Sequence, residues 1–222
     1  MVRGRLLQCP GMSLLVDTSF AFFDPVELSS EMVDGDLQLV PPGEEYLEEM
    51  LSACQHPQTR QQMPRHAETT RDSLKQFLGG SPRGLTTPDP ARGVVPTYTF
   101  WLRVTNPNLF STRPGHSIAG SASLRIAHTP NIELYLGHIG YHVFPISRGH
   151  RYAARACALL LGVARRHHFK TLWITCNPEN HASRRTCEVL GAQWVGTVTL
   201  PRDNLLYSQG DREKCRYRLD LA

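Results

Sequence analysis

Residues 138–156, HIGYHVFPISRGHRYAARA, decide how the chain reads. They run as the end of a β-strand, a short basic turn that contains Gly149, and the opening of a long apolar helix. A strand that feeds a basic turn into a helix N-terminus leaves unpaired backbone N–H groups beside positive side chains. That arrangement is a cradle for a diphosphate.

Downstream, RYAARACALLLGVARR (151–166) is apolar on nearly every side, which predicts a helix buried against a sheet. TLWITCN (171–177) is a short strand. In Asn177-Pro178-Glu179 the Asn is placed to cap, the Pro to occupy the first helical position and the acid to meet the positive helix end. That helix runs to Gly191, a natural stop. AQWVGTVTLP (192–201) and KCRYRLDL (214–221) close the sheet as strands. Upstream, IELYLGHIGYHVF (132–144) is the longest strand candidate. It follows HSIAGSASLRIA (116–127) and VPTYTFWLRV (95–104) at hairpin spacing, so the three form an antiparallel meander. Earlier still, a strand over 36–42 precedes helices over 43–54 and 69–80, with polar loops at 55–68 and 81–93. Residues 1–35 show no clean period and read as an N-terminal extension to one α/β domain spanning 36–222.

Composition is that of an ordinary globular protein, with 41% hydrophobic and 20% charged residues in 222. The net charge of +4 suits an anionic small ligand. Without interleaved basic and aromatic residues it gives no support to a nucleic-acid surface. The six cysteines, at 9, 54, 157, 176, 187 and 215, contain no C-x-x-C pair. They read as reduced thiols of a cytoplasmic protein. His167-His168 have no companion ligands nearby, and no metal is expected. The apolar run after Arg3 and Arg5 is broken by Pro10, Gly11 and Asp17, no cleavage site follows, and no membrane span is expected.

Taken together, the GHIGYHVFP strand, the RGHRYA turn and the NPENHASRRTCEVLGA helix resemble the Gcn5-related N-acetyltransferases, the GNAT superfamily. The element order over 36–221 is similar too. The resemblance implies a mostly antiparallel sheet of six to seven strands flanked by helices, with a splay between the fourth and fifth strands. It implies acetyl-CoA as co-substrate, with its pantetheine arm in the splay and its diphosphate at the start of the following helix. Carried over by position, Val143 and Phe144 are the backbone partners of the pantetheine arm. Arg148, Gly149, His150, Arg151, Tyr152 and Ala153 form the diphosphate turn. Asn180 and Ser183 face the pantetheine arm. Arg151 stands where the family places a glycine, so its backbone must adopt dihedrals that glycine takes freely.

The resemblance further implies transfer of an acetyl group to an amine of a small molecule or protein through a ternary complex, with a homodimer as a common assembly. For the base, His138 titrates near neutrality and stands where relatives carry a Glu, with Glu133 behind it on the same strand. Its alternative is a hydrogen-bonded structural histidine. Cys187 occupies the place of the family's proton-donating tyrosine and reads either as an acid or as a small apolar lining residue. His142 and Tyr141 read as packing or substrate-wall residues, and Arg65-His66 border the acceptor site. The substitutions at 151 and 187 keep a second reading open, a CoA-binding protein without catalysis.

Overall fold

The computed structural model describes residues 32–81, 84–86, 88–89, 94–105 and 117–221. Its first sheet is laid on β4 (Thr97–Val104), a run of β-branched and aromatic residues suited to a pleated, covered surface. The hairpin β1 (Val33–Asp34) and β2 (Leu37–Val40) pairs along one side of β4, and β3 (Leu85–Thr86) pairs with its first residues. On the other side lie β5 (Ser117–Arg125) and β6 (Ile139–Val143), giving the order β1-β2-β4-β5-β6. A second sheet has the order β7-β9-β8, from β7 (Thr171–Cys176), β8 (Gln193–Thr199) and β9 (Glu213–Asp220). Every ladder in both sheets is antiparallel. The expected splay is therefore a break between two sheets, at β6 and β7.

Alternate side chains of the first sheet build two cores. Tyr98, Phe100 and Leu102 of β4, Ala122 and Leu124 of β5 and Ile139 of β6 face helix α5 (Tyr152–Arg166), which buries Tyr152, Ala156, Cys157, Leu160 and Val163 against them. The opposite face presents Val40, Trp101, Ile118 and Phe144. Helices α1 (Leu47–Gln55) and α4 (Arg71–Gly80) cover it with Leu47, Met50, Ala53 and Leu74. Arg155 of α5 bonds Asp34 and Asp36, and the Tyr152 hydroxyl donates to Asp36 at 2.6 Å. The first hairpin thus fixes where α5 begins.

Four expectations need correction. The segment 55–68 is not a loop: α2 (Pro57–Gln62) and α3 (Pro64–Ala67) each start on a proline whose missing N–H would be unpaired there anyway. The strand predicted over 132–144 begins only at Ile139. Residues 132–136 form a π-helical turn, started where Thr129 accepts from the Ile132 and Glu133 amides. Asn177 does not cap the late helix. Asn180 does, taking the Ser183 amide at 3.0 Å at the head of α6 (His181–Val189). Finally, the loop after β8 contains a short helix, α7 (Leu205–Ser208). Of the extension over 1–35, residues 1–31 lie outside the described residues, Met32 packs in the α5 core and Val33–Asp34 form β1.

Candidate functional site

The two sheets touch at one end of the break. The His138 amide donates to the Trp173 carbonyl at 2.7 Å, and the Trp173 amide donates to Nδ1 of His138 at 2.9 Å. Gly137 makes this closure possible. Its φ of 75° and ψ of 156° lie in a region that is essentially glycine's own. A Cβ there would also stand 3.0 Å from the Thr175 nitrogen. Past this contact β6 and β7 share no ladder.

Ladder parity shows what lines the split. Arg125 donates to the His138 carbonyl and Phe144 to the Ala119 carbonyl, each at 2.8 Å. Since alternate residues of an edge strand point their peptide groups alternate ways, those of Ile139, Tyr141 and Val143 face the split. The Val143 peptide group therefore faces the split. That of Phe144 does not: its amide is spent on β5 and its ring is buried in the core that α1 covers.

Beyond Val143 a 3-10 turn (Pro145–Ser147) and the basic stretch 148–151 lead into α5. Arg151, at φ 57° and ψ 20°, takes the left-handed conformation a glycine would take freely, and it contributes no side-chain cap. Ala153 and Ala154, in the first turn of a helix of 15 residues, have no intrahelical acceptor for their amides. Arg148, Gly149, His150 and Arg151 are all exposed around them. Arg148 bonds both the Val143 carbonyl (3.3 Å) and Gln62 of α2 (2.9 Å), tying the turn to the strand edge. Tyr152 contributes no side chain there, because its ring is in the core.

On the α6 side, the Oγ of Ser183 meets the Tyr141 hydroxyl at 2.8 Å, bridging β6 to α6. Burial pushes that phenol well above its usual range, so Tyr141 stays protonated. Cys187 is fully buried behind it. The Cys187 thiol shares a hydrogen bond with Cys176, which holds Cys187 up and Cys176 down. The five cysteines among the described residues are all buried free thiols.

The other face of β6 opens a trough. Ser121 and Ser123 of β5 stand opposite His142 and Gly140 of β6, and all four are half-buried. Nδ1 of His142 bonds the Ser121 hydroxyl at 3.1 Å, and His66 of α3 lies over His142 with ring centroids 4.4 Å apart. Burial pulls the His142 pKa down to about 3 and lowers that of His66, so both rings are neutral at physiological pH. Nε2 of His142 has no partner among the described residues.

His138 is placed elsewhere. It is 0% exposed, packed against Phe169, and burial lowers its pKa to about 4. It joins the sheets and offers no face to the trough. Glu133 sits in the π turn, where it pairs with His128 at 3.0 Å. These three residues form a cluster that sequence reading did not foresee, with one potential metal ligand atom from each, all within 4.8 Å of one another. The tautomer does not suit a metal. Nδ1 of His138 accepts the Trp173 N–H, which puts the ring proton on Nε2 and leaves that ring no lone pair to offer. Sequence reading also passed over Arg125 and the two serines. The available signal was Ser121-x-Ser123-x-Arg125, polar on one face of an otherwise apolar strand.

Residues 36–193 match the family model described as Acetyltransferase (GNAT) domain. Compared with curated protein sequences, the chain has no match. Among solved structures, the microcin C7 self-immunity acetyltransferase in complex with acetyl-CoA and AMP is similar at TM-score 0.61 and 16% identity, over 88% of this chain and 99% of that one. A ribosomal-protein α-N-acetyltransferase in complex with coenzyme A is similar at 0.57 and 16%, over 85% and 96%. A GCN5-related N-acetyltransferase from Brucella melitensis is similar at 0.56 and 17%, over 85% and 77%. At these identities the likeness is one of fold. No helix among the described residues is long and apolar enough to cross a membrane. The family model spans well over half of the sequence, and the chain belongs to the GNAT acetyltransferases.

Proposed function

We propose that this protein transfers the acetyl group of acetyl-CoA directly to an amine acceptor within a ternary complex. The carrying observation is continuity: the split edge at Val143 runs on through the basic turn into the uncapped, positively surrounded start of α5. A pantetheine arm needs such an edge, and a diphosphate needs such a helix end. The two similar acetyltransferases in complex with acetyl-CoA or coenzyme A support the same ligand here. Arg148, Gly149, His150 and Arg151 surround the diphosphate, the Ala153 amide binds it, and Asn180 and Ser183 flank the arm.

The acceptor enters from the trough. Its nitrogen attacks the thioester carbon, forming C–N as C–S breaks, and the coenzyme leaves as a thiolate. The nitrogen's proton passes to His66, which is half-buried, neutral and already seated on His142. Ser121 fixes the His142 ring that supports it. Tyr141, protonated and held by Ser183 on the strand that edges the split, serves as the donor for the thiolate. The base role so passes from His138 and Glu133 to His66, and the acid role from Cys187 to Tyr141. Buried free thiols fit a reducing compartment, so we place the protein in the cytoplasm.

The test is thermal stabilisation by acetyl-CoA, expected for the natural chain and lost in the Arg148→Glu/Arg151→Glu variant. No stabilisation at about 1 mM coenzyme overturns the reading, since binding to the folded state must raise the melting temperature. Stabilisation without release of coenzyme thiol across an amine panel returns the protein to the binding-only reading.

A further inference from the structure

One cation in the trough has no acidic partner among the described residues. Arg125, the last residue of β5, points to the same face as Ser121 and Ser123. Its Nη1 and Nη2 both lie 3.4 Å from where a Cβ on Gly140 would be, so the guanidinium rests over the bare backbone of β6. Its one hydrogen bond is to the Gly137 carbonyl at 3.1 Å. No Asp or Glu among the described residues pairs with it, although Arg103, Arg155, Arg185 and Arg218 each have such a partner.

Burial lowers the Arg125 pKa. On this face His66 and His142 are held neutral by burial, as is His138 at the closed end of the strand. Glu133, beyond His138, is paired with His128. A guanidinium remains charged under any ordinary condition. Its planar fork has five N–H donors, of which the Gly137 carbonyl uses one. Withdrawing such a group from water with most of its donors idle is costly unless an anion completes it.

Resting on the acetyl-transfer reading, we propose that Arg125 is a specificity-determining residue that receives an anionic group, a carboxylate or a phosphate, carried by the amine acceptor. Gly140 keeps the approach to the fork clear, because any side chain there would meet it. Ser123, opposite Gly140, supplies a hydroxyl beside the same spot. His142, on which the base His66 is seated, stands two residues further along the same face of β6. The acceptor therefore carries its anion and its amine along one face of this strand, as an amino acid or an aminoalkyl phosphate could.

The test uses the full chain saturated with acetyl-CoA, so that the diphosphate cradle is filled. Acetate and inorganic phosphate are then titrated to about 10 mM, and melting temperature is followed, since either anion stabilises if it binds the folded site. Stabilisation is expected in the natural chain, absent in Arg125→Gln and partly kept in Arg125→Lys, with whichever anion acts more strongly identifying the group. In parallel, coenzyme release is compared for amines with a carboxylate and with the matching carboxamide, and for ethanolamine phosphate and ethanolamine. The charged member of the productive pair is expected to lead by about tenfold in kcat/KM, mostly through KM, and Arg125→Gln to erase the difference. If neither anion stabilises the natural chain while acetyl-CoA does, the anion proposal fails and the coenzyme reading stands. If Arg125→Gln, folded by circular dichroism, loses the acetyl-CoA shift itself, the guanidinium serves the coenzyme and the proposal is overturned. Failure of the natural chain to respond to acetyl-CoA overturns both.

Discussion

The two ends of β6 are built on opposite principles. At one end Gly137 and His138 press the strand against β7, with paired backbone groups and a buried imidazole. At the other, the Val143 peptide group faces the split, and the Ala153 and Ala154 amides in the first turn of α5 have no intrahelical acceptor. The closed end concentrates close contact, special dihedrals and a suppressed charge. The open end is backbone left unfilled. A split that holds a ligand arm needs both: without a fixed point the strands would be free to pair or drift apart, and without idle amides the gap would bind nothing.

The closed end is where substitution should do most harm. Gly137→Val places a branched side chain at a glycine-only conformation and 3.0 Å from the Thr175 nitrogen. A loss of about 4 kcal/mol is expected from strain and overpacking together, seen as a shifted urea midpoint. A cost below about 1 kcal/mol would mean that the sheets are not locked there.

Acid should loosen the same end. His138 has a folded pKa of about 4, depressed by burial, against an ordinary 6.5. The unfolded chain therefore binds the proton first, so the stability is complete above pH 6.5 and is lost as pH falls toward 4. The linkage gives a loss of about 2 kcal/mol between roughly pH 7.5 and 5. His142 acts in the same direction. Urea titrations at both pH values should show a clearly smaller loss in His138→Gln, and equal losses in the two chains would remove His138 from the account.

The open end should respond in binding while stability holds. Val143→Pro deletes an amide that parity turns into the split, outside the β5 ladder, where proline is tolerated. Acetyl-CoA affinity is expected to fall by about tenfold, the worth of one backbone hydrogen bond, with little change in urea midpoint. Calorimetric titration of both chains decides it; unchanged affinity would place the coenzyme elsewhere.

The same contrast explains what could be read in advance. The basic turn and α5 are contiguous, so 148–166 was legible as a turn opening a buried helix. Asn180 and Ser183 were singled out only through the family resemblance, and the capping residue was misplaced by three positions. The segment 132–136 was not: Ile132, Leu134 and Leu136 alternate as a strand would, and only the Thr129 start and the Gly137 dihedrals reveal a helical turn. The trough was the hardest to foresee. His66, Ser121, Arg125 and His142 come from three elements, and only strand register and helix docking bring them together. His138 shows the limit from the other side: its type suited a base, but its burial makes it a joint.

At Arg151 conformation and charge compete, so its replacement separates them. With φ at 57° it bears the left-handed cost of an L-residue, and Arg151→Gly removes that cost at the expense of a more flexible unfolded chain. The balance is a small gain, about 0.5 kcal/mol in unfolding free energy. The same change removes an exposed cation beside the helix amides, where a side chain contributes modestly and is screened by salt. Acetyl-CoA affinity should therefore drop about threefold at low ionic strength and recover as salt approaches 0.5 M. If affinity instead rises, the arginine is an obstacle at the place where relatives carry glycine. If the deficit persists in high salt, its fork grips the diphosphate directly. The expected pattern, steadier folding with weaker and salt-dependent binding, would mean that this chain has exchanged conformational ease for charge at the mouth of the split.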